Sequence, residues 1–215
     1  MIVCSNLTKS YTHAGRRKDV LKGVNFTIER GDRVGLLGRN GAGKSTLIKL
    51  LGGVEMPTSG KIIRKMSMSW PLGFAGAFQG SLTGYDNARF IARIYERKYP
   101  DIRQYVEDFT ELGKQLHMPV KTYSSGMRAR LAFALSLAIE FECYLIDEVI
   151  LVGDQNFQRK CHTEMFGKMQ DRTMIVASHS PEFIMSNCNK AIILKDGTAE
   201  MYDDMDHAMH LYHNL

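Results

Sequence analysis

The residues Gly38-Arg39-Asn40-Gly41-Ala42-Gly43-Lys44-Ser45 follow the pattern G-x-x-x-x-G-K-[ST], and Thr46 extends the run. Glycines let successive backbone N–H groups turn inward around phosphate oxygens, because no Cβ obstructs the approach. Lys44 adds a full positive charge suited to β- and γ-phosphates, and the Ser45 hydroxyl is a hard ligand for Mg²⁺. By itself the run predicts a site for ATP or GTP.

Further along, Cys143-Tyr144-Leu145-Ile146-Asp147 reads as a buried strand ending in a carboxylate, and Glu148 follows. Open α/β sheets bind ligands where their strands end. Asp147 is thus placed to hold Mg²⁺, directly or through water, and Glu148 to orient or deprotonate an attacking water. Ser178-His179-Ser180 follows the apolar run Thr173–Ala177, which brings His179 to the same sheet edge. There it either contacts a γ-phosphate or is an ordinary strand-end histidine. Ser124-Ser125-Gly126 opens a strongly helical stretch eighty positions after Lys44. Small residues at a helix start either cap it or offer amides and hydroxyls to an anion.

Regular elements must position these groups. Ile2–Leu7 and Val20–Glu29 carry strand patterns, and Arg33–Leu37 is a short apolar strand of the buried parallel type. It leads into the glycine loop and a helix from about Ser45 to Leu51, which Gly52-Gly53 ends. Lys61–Arg64 predicts another strand. From about Thr83 to Glu140 the apolar spacing is helical: Phe90, Ile91, Ile94 and Tyr95, then Tyr105, Val106, Phe109 and Leu112, then Leu131, Ala134, Leu135 and Ala138. Strands return at Cys143–Asp147 and Thr173–Ala177. Ala191–Leu194 and Thr198–Tyr202 flank a turn at Asp196-Gly197, and a helix near Asp204–Tyr212 follows. A single domain over 1–215 is expected, its core at about 1–82 and 141–215 and a helical insertion at about 83–140.

Composition narrows the class. Hydrophobic residues at 44% and charged residues at 24% are ordinary for a globular chain. No apolar run approaches the roughly 18–20 residues of a membrane span, and the N-terminus lacks a secretion signal. The net charge of +5 is dispersed rather than gathered into one block, which argues against a nucleic-acid groove. Cys4, Cys143, Cys161 and Cys188 have no paired spacing and read as reduced, buried apolar groups. His207, His210 and His213 are spaced so that three ligands do not converge on one ion from a helix.

The order of motifs resembles an ABC-transporter ATPase subunit over essentially the whole chain. It is most similar to the ATP-binding subunits of bacterial capsular polysaccharide exporters. The resemblance is carried by WPLGFAGAFQGSLTG from Trp70 to Gly84, YSSGMRARLAFALSLAIEF from Tyr123 to Phe141, and CYLIDEVILVGD from Cys143 to Asp154. It implies an α/β fold: a P-loop NTPase sheet core, an N-terminal antiparallel β subdomain and an inserted helical subdomain. It also implies ATP and Mg²⁺ as ligands, with two sites formed by two copies packed head to tail. Lys44, Ser45, Asp147, Glu148, Gln79 and His179 would act from one copy, and Ser124, Ser125 and Gly126 from the other. Gln79 would also ligate Mg²⁺, and Tyr11 would stack on adenine. The family signature is Leu-Ser-Gly-Gly-Gln, whereas Ser125 and Met127 replace a Gly and the Gln here. Val149-Ile150-Leu151 stand in place of the usual Pro-Thr-Ser, although Asp154 keeps the spacing of the loop that crosses the dimer.

The implied function is ATP hydrolysis that drives export of capsular polysaccharide through an integral membrane permease. The subunit would lie on the cytoplasmic face of the bacterial inner membrane, with no nucleic-acid partner. Trp70–Tyr85, aromatic and glycine-rich around Gln79, is expected to be the hinge that docks the permease. The alternatives are an O-antigen or teichoic-acid type exporter and a soluble non-transport ABC ATPase. The first often carries an extra C-terminal domain, whereas this chain runs only to Leu215. The second carries tandem ATPase domains or a long coiled coil, and neither pattern is present.

Overall fold

The computed structural model describes residues 1–72, 78–147, 154–169 and 171–215. In chain order its elements are β1 (Ile2–His13), β2 (Arg16–Ile28), β3 (Arg33–Leu37), α1 (Lys44–Leu51), β4 (Ser59–Arg64), β5 (Met68–Pro71), α2 (Gly84–Ile94), α3 (Tyr99–Thr110), α4 (Ser125–Leu137), β6 (Cys143–Asp147), α5 (Gln155–His162), β7 (Thr173–Ala177), α6 (Pro181–Asn187), β8 (Lys190–Lys195), β9 (Thr198–Tyr202) and α7 (Met205–His213). They form two compact units. The first comprises Met1–Pro71, Phe141–Glu148 and Gln170–Leu215; the second comprises Leu72–Glu140 and Val149–Met169.

The first unit holds two sheets. β2, β1 and β4 form an antiparallel sheet in that order. The β1–β2 hairpin turns through Ala14 (φ 47°) and Gly15 (φ 75°), the positive-φ pair that matches the twist of the flanking strands. Ile2, Cys4 and Leu7 of β1 are buried, as are Leu21, Val24 and Ile28 of β2. They join Leu36, Leu47, Leu50 and Leu145 in one apolar core. The second sheet has the order β5-β6-β7-β3-β8-β9. All its neighbouring pairs are parallel except β8–β9, the expected closing hairpin. Its central strands are buried along their lengths, as a parallel sheet covered on both faces requires. The α/β cassette fold expected from the resemblance is therefore observed, with its antiparallel sheet at the N-terminus.

Gly35 of β3 has a specific steric reason. A Cβ there would meet Ile184 Cγ2 of α6 at 2.3 Å, so α6 packs directly on the strand backbone.

The second unit is helical. Thr83 and Asp86 form a reciprocal capping box at the start of α2. Phe157 of α5 lies 5.4 Å from Phe109 of α3 and 6.4 Å from Phe133 of α4, ring centre to ring centre, and these contacts knit the helices together. α5 continues as a wider π-type turn through Thr163–Lys168.

Several details depart from the sequence reading. Phe90 and Ile94 are 55% and 54% exposed, whereas Ile91 is buried as its spacing suggested, together with Ala88 and Ala92. Leu112 lies beyond the end of α3. Trp70 and Pro71 belong to β5, a strand the pattern did not announce, where Trp70 packs edge-on against Phe141 at 5.5 Å. The expected hinge thus begins in a sheet strand, and its stretch 73–77 lies outside the described residues.

Burial pushes the thiols of Cys4, Cys143, Cys161 and Cys188 up to about 12, which fits inert apolar packing. Among the described residues no helix is long and apolar enough to cross a membrane. Leu36 is fully buried at the centre of the core. Leu36→Ala is expected to lower the unfolding free energy by about 2–5 kcal/mol, read from the urea midpoint at unchanged slope.

Candidate functional site

Parallel pairing aligns the ends of three adjacent strands. Asp147 at the end of β6 pairs with Ala177 at the end of β7, and Ala177 pairs with Leu36 of β3. Whatever follows these strands emerges along one edge. The glycine loop follows β3 and His179 follows β7, while Asp147 ends β6.

The loop has the conformations that the glycines were expected to supply. Gly38, Gly41 and Gly43 have φ of 153°, 80° and 107°. At Gly38 a Cβ would meet the Leu194 carbonyl oxygen at 2.6 Å, so a side chain has no room there. Gly43 stands at the N-cap of α1 with no side chain to cap it, which leaves the amides of the first turn available to an anion. Lys44 is buried, and its Nζ donates to the Gly38 carbonyl at 2.7 Å and the Arg39 carbonyl at 3.4 Å. The ammonium is thereby held across its own loop.

The Ser45 hydroxyl donates to Asp147 Oδ1 at 3.1 Å. Two residues far apart in sequence thus present a hydroxyl and a carboxylate oxygen side by side, the hard-oxygen donor set that suits Mg²⁺. A cleft of about 400 Å³ opens over this region. Tyr11 and Lys18 line it from the β1–β2 hairpin, Asn40, Gly41 and Gly43–Thr46 from the loop and α1, and His179 from the end of β7. Arg39 and Ala42 line an adjoining hollow of about 430 Å³ with Lys18, Lys22 and Lys195. Tyr11 is 38% exposed, and its hydroxyl donates to Glu55 Oε2 at 2.6 Å. Burial, then that hydrogen bond, raises its pKa.

Glu148 falls outside the described residues. Gln79 belongs to the second unit. Its amide donates to Asn87 Oδ1 at 2.9 Å and its carbonyl accepts from Asn87 Nδ2 at 3.2 Å, so its main chain is clamped while the residue itself is exposed. Ser124 is the N-cap of α4, its hydroxyl accepting from the Met127 amide at 3.2 Å, and Ser125 and Gly126 open the first turn. Capping, one of the two readings of this segment, is thus realised in the single chain. Among the described residues no group of three or more His, Cys, Asp or Glu is arranged to hold a metal, the C-terminal histidines included.

Two tertiary linkers carried no recognisable signal. Glu55 is a lone acid in the turn after α1, yet it anchors Tyr11. Arg130 stacks over Phe157 at 4.7 Å, donates to the Thr110 carbonyl at 3.1 Å and pairs with Asp154. Asp154 itself caps α5 by accepting from the Phe157 amide at 3.0 Å. That hydrogen bond, and then Arg130, hold the Asp154 carboxyl below its usual range.

Residues 21–150 match the family model described as ABC transporter. The chain is 55% identical over 212 residues to the ATP-binding protein BexA of Haemophilus influenzae, covering 99% of this chain and 98% of that protein. It is 53% identical over 215 residues to the capsule polysaccharide export ATP-binding protein CtrD of Neisseria meningitidis serogroup B, covering 100% of both. Among solved structures, the dimeric post-hydrolysis ATP-binding cassette MJ0796 bound to ADP and phosphate superposes with a TM-score of 0.76 at 20% identity. It covers 95% of this chain and 99% of that one, a likeness of fold. With a phosphate loop whose backbone, lysine and serine–aspartate pair are assembled on one sheet edge, and with relatives matched along its whole length, this chain belongs to the ABC transporter family.

Proposed function

We propose that this protein is the ATP-binding and ATP-hydrolysing subunit of a bacterial transporter that exports capsular polysaccharide across the inner membrane. The observation that carries the ATPase reading is the Ser45–Asp147 contact beside the buried Lys44, with Lys44 and Ser45 lining the cleft that His179 also lines. The cargo is argued from the full-length relatives, one of which is named for capsule polysaccharide export.

In this reading Tyr11 stacks on adenine, and the amides of Gly38–Thr46 surround the phosphates. Lys44 exchanges the carbonyls of Gly38 and Arg39 for phosphate oxygens, a charge-assisted contact stronger than the one it leaves. Ser45 and Asp147 would hold Mg²⁺, with Gln79 as the further ligand that the resemblance implies, and the ion would supply neutralisation of phosphate charge. Glu148 orients and deprotonates the attacking water, and His179 contacts the γ-phosphate. Ser124, Ser125 and Gly126 of a second copy complete the site from across a head-to-tail dimer, so the helix start that Ser124 caps is also an anion site. Gln79, within Trp70–Tyr85, couples occupancy to the permease at the cytoplasmic face of the membrane. The ATPase core at about 1–82 and 141–215 and the helical part at about 83–140 divide this work between nucleotide and partner.

Glu148→Gln is expected to lower steady-state ATP turnover by about a hundredfold or more while ATP binding persists; unchanged turnover removes Glu148 as the base. Lys44→Ala introduced in the producing bacterium should leave polymer inside the cell, and normal surface capsule would refute the export role. Ser124→Asp keeps a good helix cap but sets a negative charge toward the γ-phosphate. Its thermal midpoint should stay near wild type while ATP-driven dimerisation, followed by light scattering, is lost.

A further inference from the structure

We infer that Glu55, together with Lys9, is a positioning device that fixes the ring of Tyr11 for the nucleobase and ties it to the phosphate-binding helix. The inference rests on the stacking role proposed for Tyr11 and assigns residues that the role itself does not name.

An aromatic side chain at the rim of a two-stranded hairpin ordinarily samples several rotamers on the ps–ns timescale. Besides a hydroxyl contact with Thr46 in the first turn of α1, Tyr11 is restrained at two points. Its hydroxyl, at the far tip of the side chain, donates to Glu55 Oε2 at 2.6 Å. One face of its ring lies under the Lys9 ammonium, 4.9 Å from the ring centre. In the proposed stacking the base takes the opposite face.

The restraining groups are themselves held. Lys9 Nζ lies 3.1 Å from Glu55 Oε2 and donates to the Met56 carbonyl at 2.8 Å. The Lys9 and Glu55 side chains are only 14% and 25% exposed, so this pair is better shielded from solvent than an ordinary surface ion pair. Glu55 Oε1 also faces Lys49 Nζ at 3.6 Å, and the Glu55 amide donates to the Lys49 carbonyl at 3.3 Å. Lys49 sits in the last turn of α1, whose first turn opens on the phosphate loop. Tyr11, Glu55 and α1 therefore form a continuous linkage between the base end and the phosphate end of the cleft. Its effect is preorganisation: the ring is ordered before nucleotide arrives, so less freedom is lost on binding.

The test measures KM and kcat for ATP hydrolysis by Tyr11→Ala, Tyr11→Phe, Glu55→Ala and the Tyr11→Phe/Glu55→Ala double variant. Tyr11→Phe keeps the stacking ring and removes only the hydroxyl. It and Glu55→Ala are each expected to raise KM by roughly two- to tenfold with kcat within about twofold of wild type. The double variant should be no worse than either single one, because both break the same link. If Tyr11→Ala raises KM while Tyr11→Phe and Glu55→Ala leave it at the wild-type value, the positioning role is overturned and stacking survives. If Tyr11→Ala itself leaves KM unchanged, stacking falls and the positioning role falls with it. Should Glu55→Ala fail to fold, Tyr11→Phe decides alone, with a wild-type KM overturning the inference and a raised one at unchanged thermal midpoint supporting it.

Discussion

The parallel pairing of β6, β7 and β3 is the constraint from which the rest of the site follows. Parallel neighbours run in the same direction, so their C-terminal ends share an edge, and the pairs Asp147–Ala177 and Leu36–Ala177 fix that edge to the residue. A slip of one position would turn every buried side chain of these strands to the opposite face. With Val34, Leu36, Leu145, Ile175 and Ala177 all fully buried, such a slip is opposed by the whole core. Apolar packing thereby sets the 3.1 Å contact of Ser45 with Asp147, although neither residue packs in the core.

The parts of this arrangement that were legible beforehand are those written in contiguous residues. A glycine loop, an apolar pentad ending in an acid, and the turn at Asp196-Gly197 each encode their own conformation through φ preferences and solvent avoidance. Elements that depend on distant partners were less visible. β5 is four residues long and is defined by its pairing with β6, so no local period marks it. Phe90 and Ile94 repeat at helical spacing as core residues do, yet they face outward, because spacing reports a stripe without saying what covers it. Glu55 and Arg130 show the same limit at the side-chain level. Each acts through groups brought near by tertiary folding, and a single charged residue in a turn or on a helix has many unremarkable explanations.

The helical unit adds a different lesson about dual use. Ser124 satisfies a backbone amide of its own helix, a local task that accounts for its type and position. The same geometry leaves Ser125 exposed on the first turn. A helix start of this kind is stable before any ligand comes. In the proposed dimer, stability and recognition would then need no separate sequence solutions, which is why the segment reads equally well as a cap or as an anion site when only the residues are known.

The contact between Gly35 and Ile184 has an evolutionary consequence. Because α6 rests on bare backbone, the distance between β3 and α6 is set by a missing methyl group. A side chain at position 35 would force the Ile184 side chain, or the helix that carries it, to shift. A larger residue at 35 is best accommodated alongside a reduction at 184, because a single substitution at either position passes through a clash or a void. The two positions are thus coupled, and drift at one changes what the other tolerates.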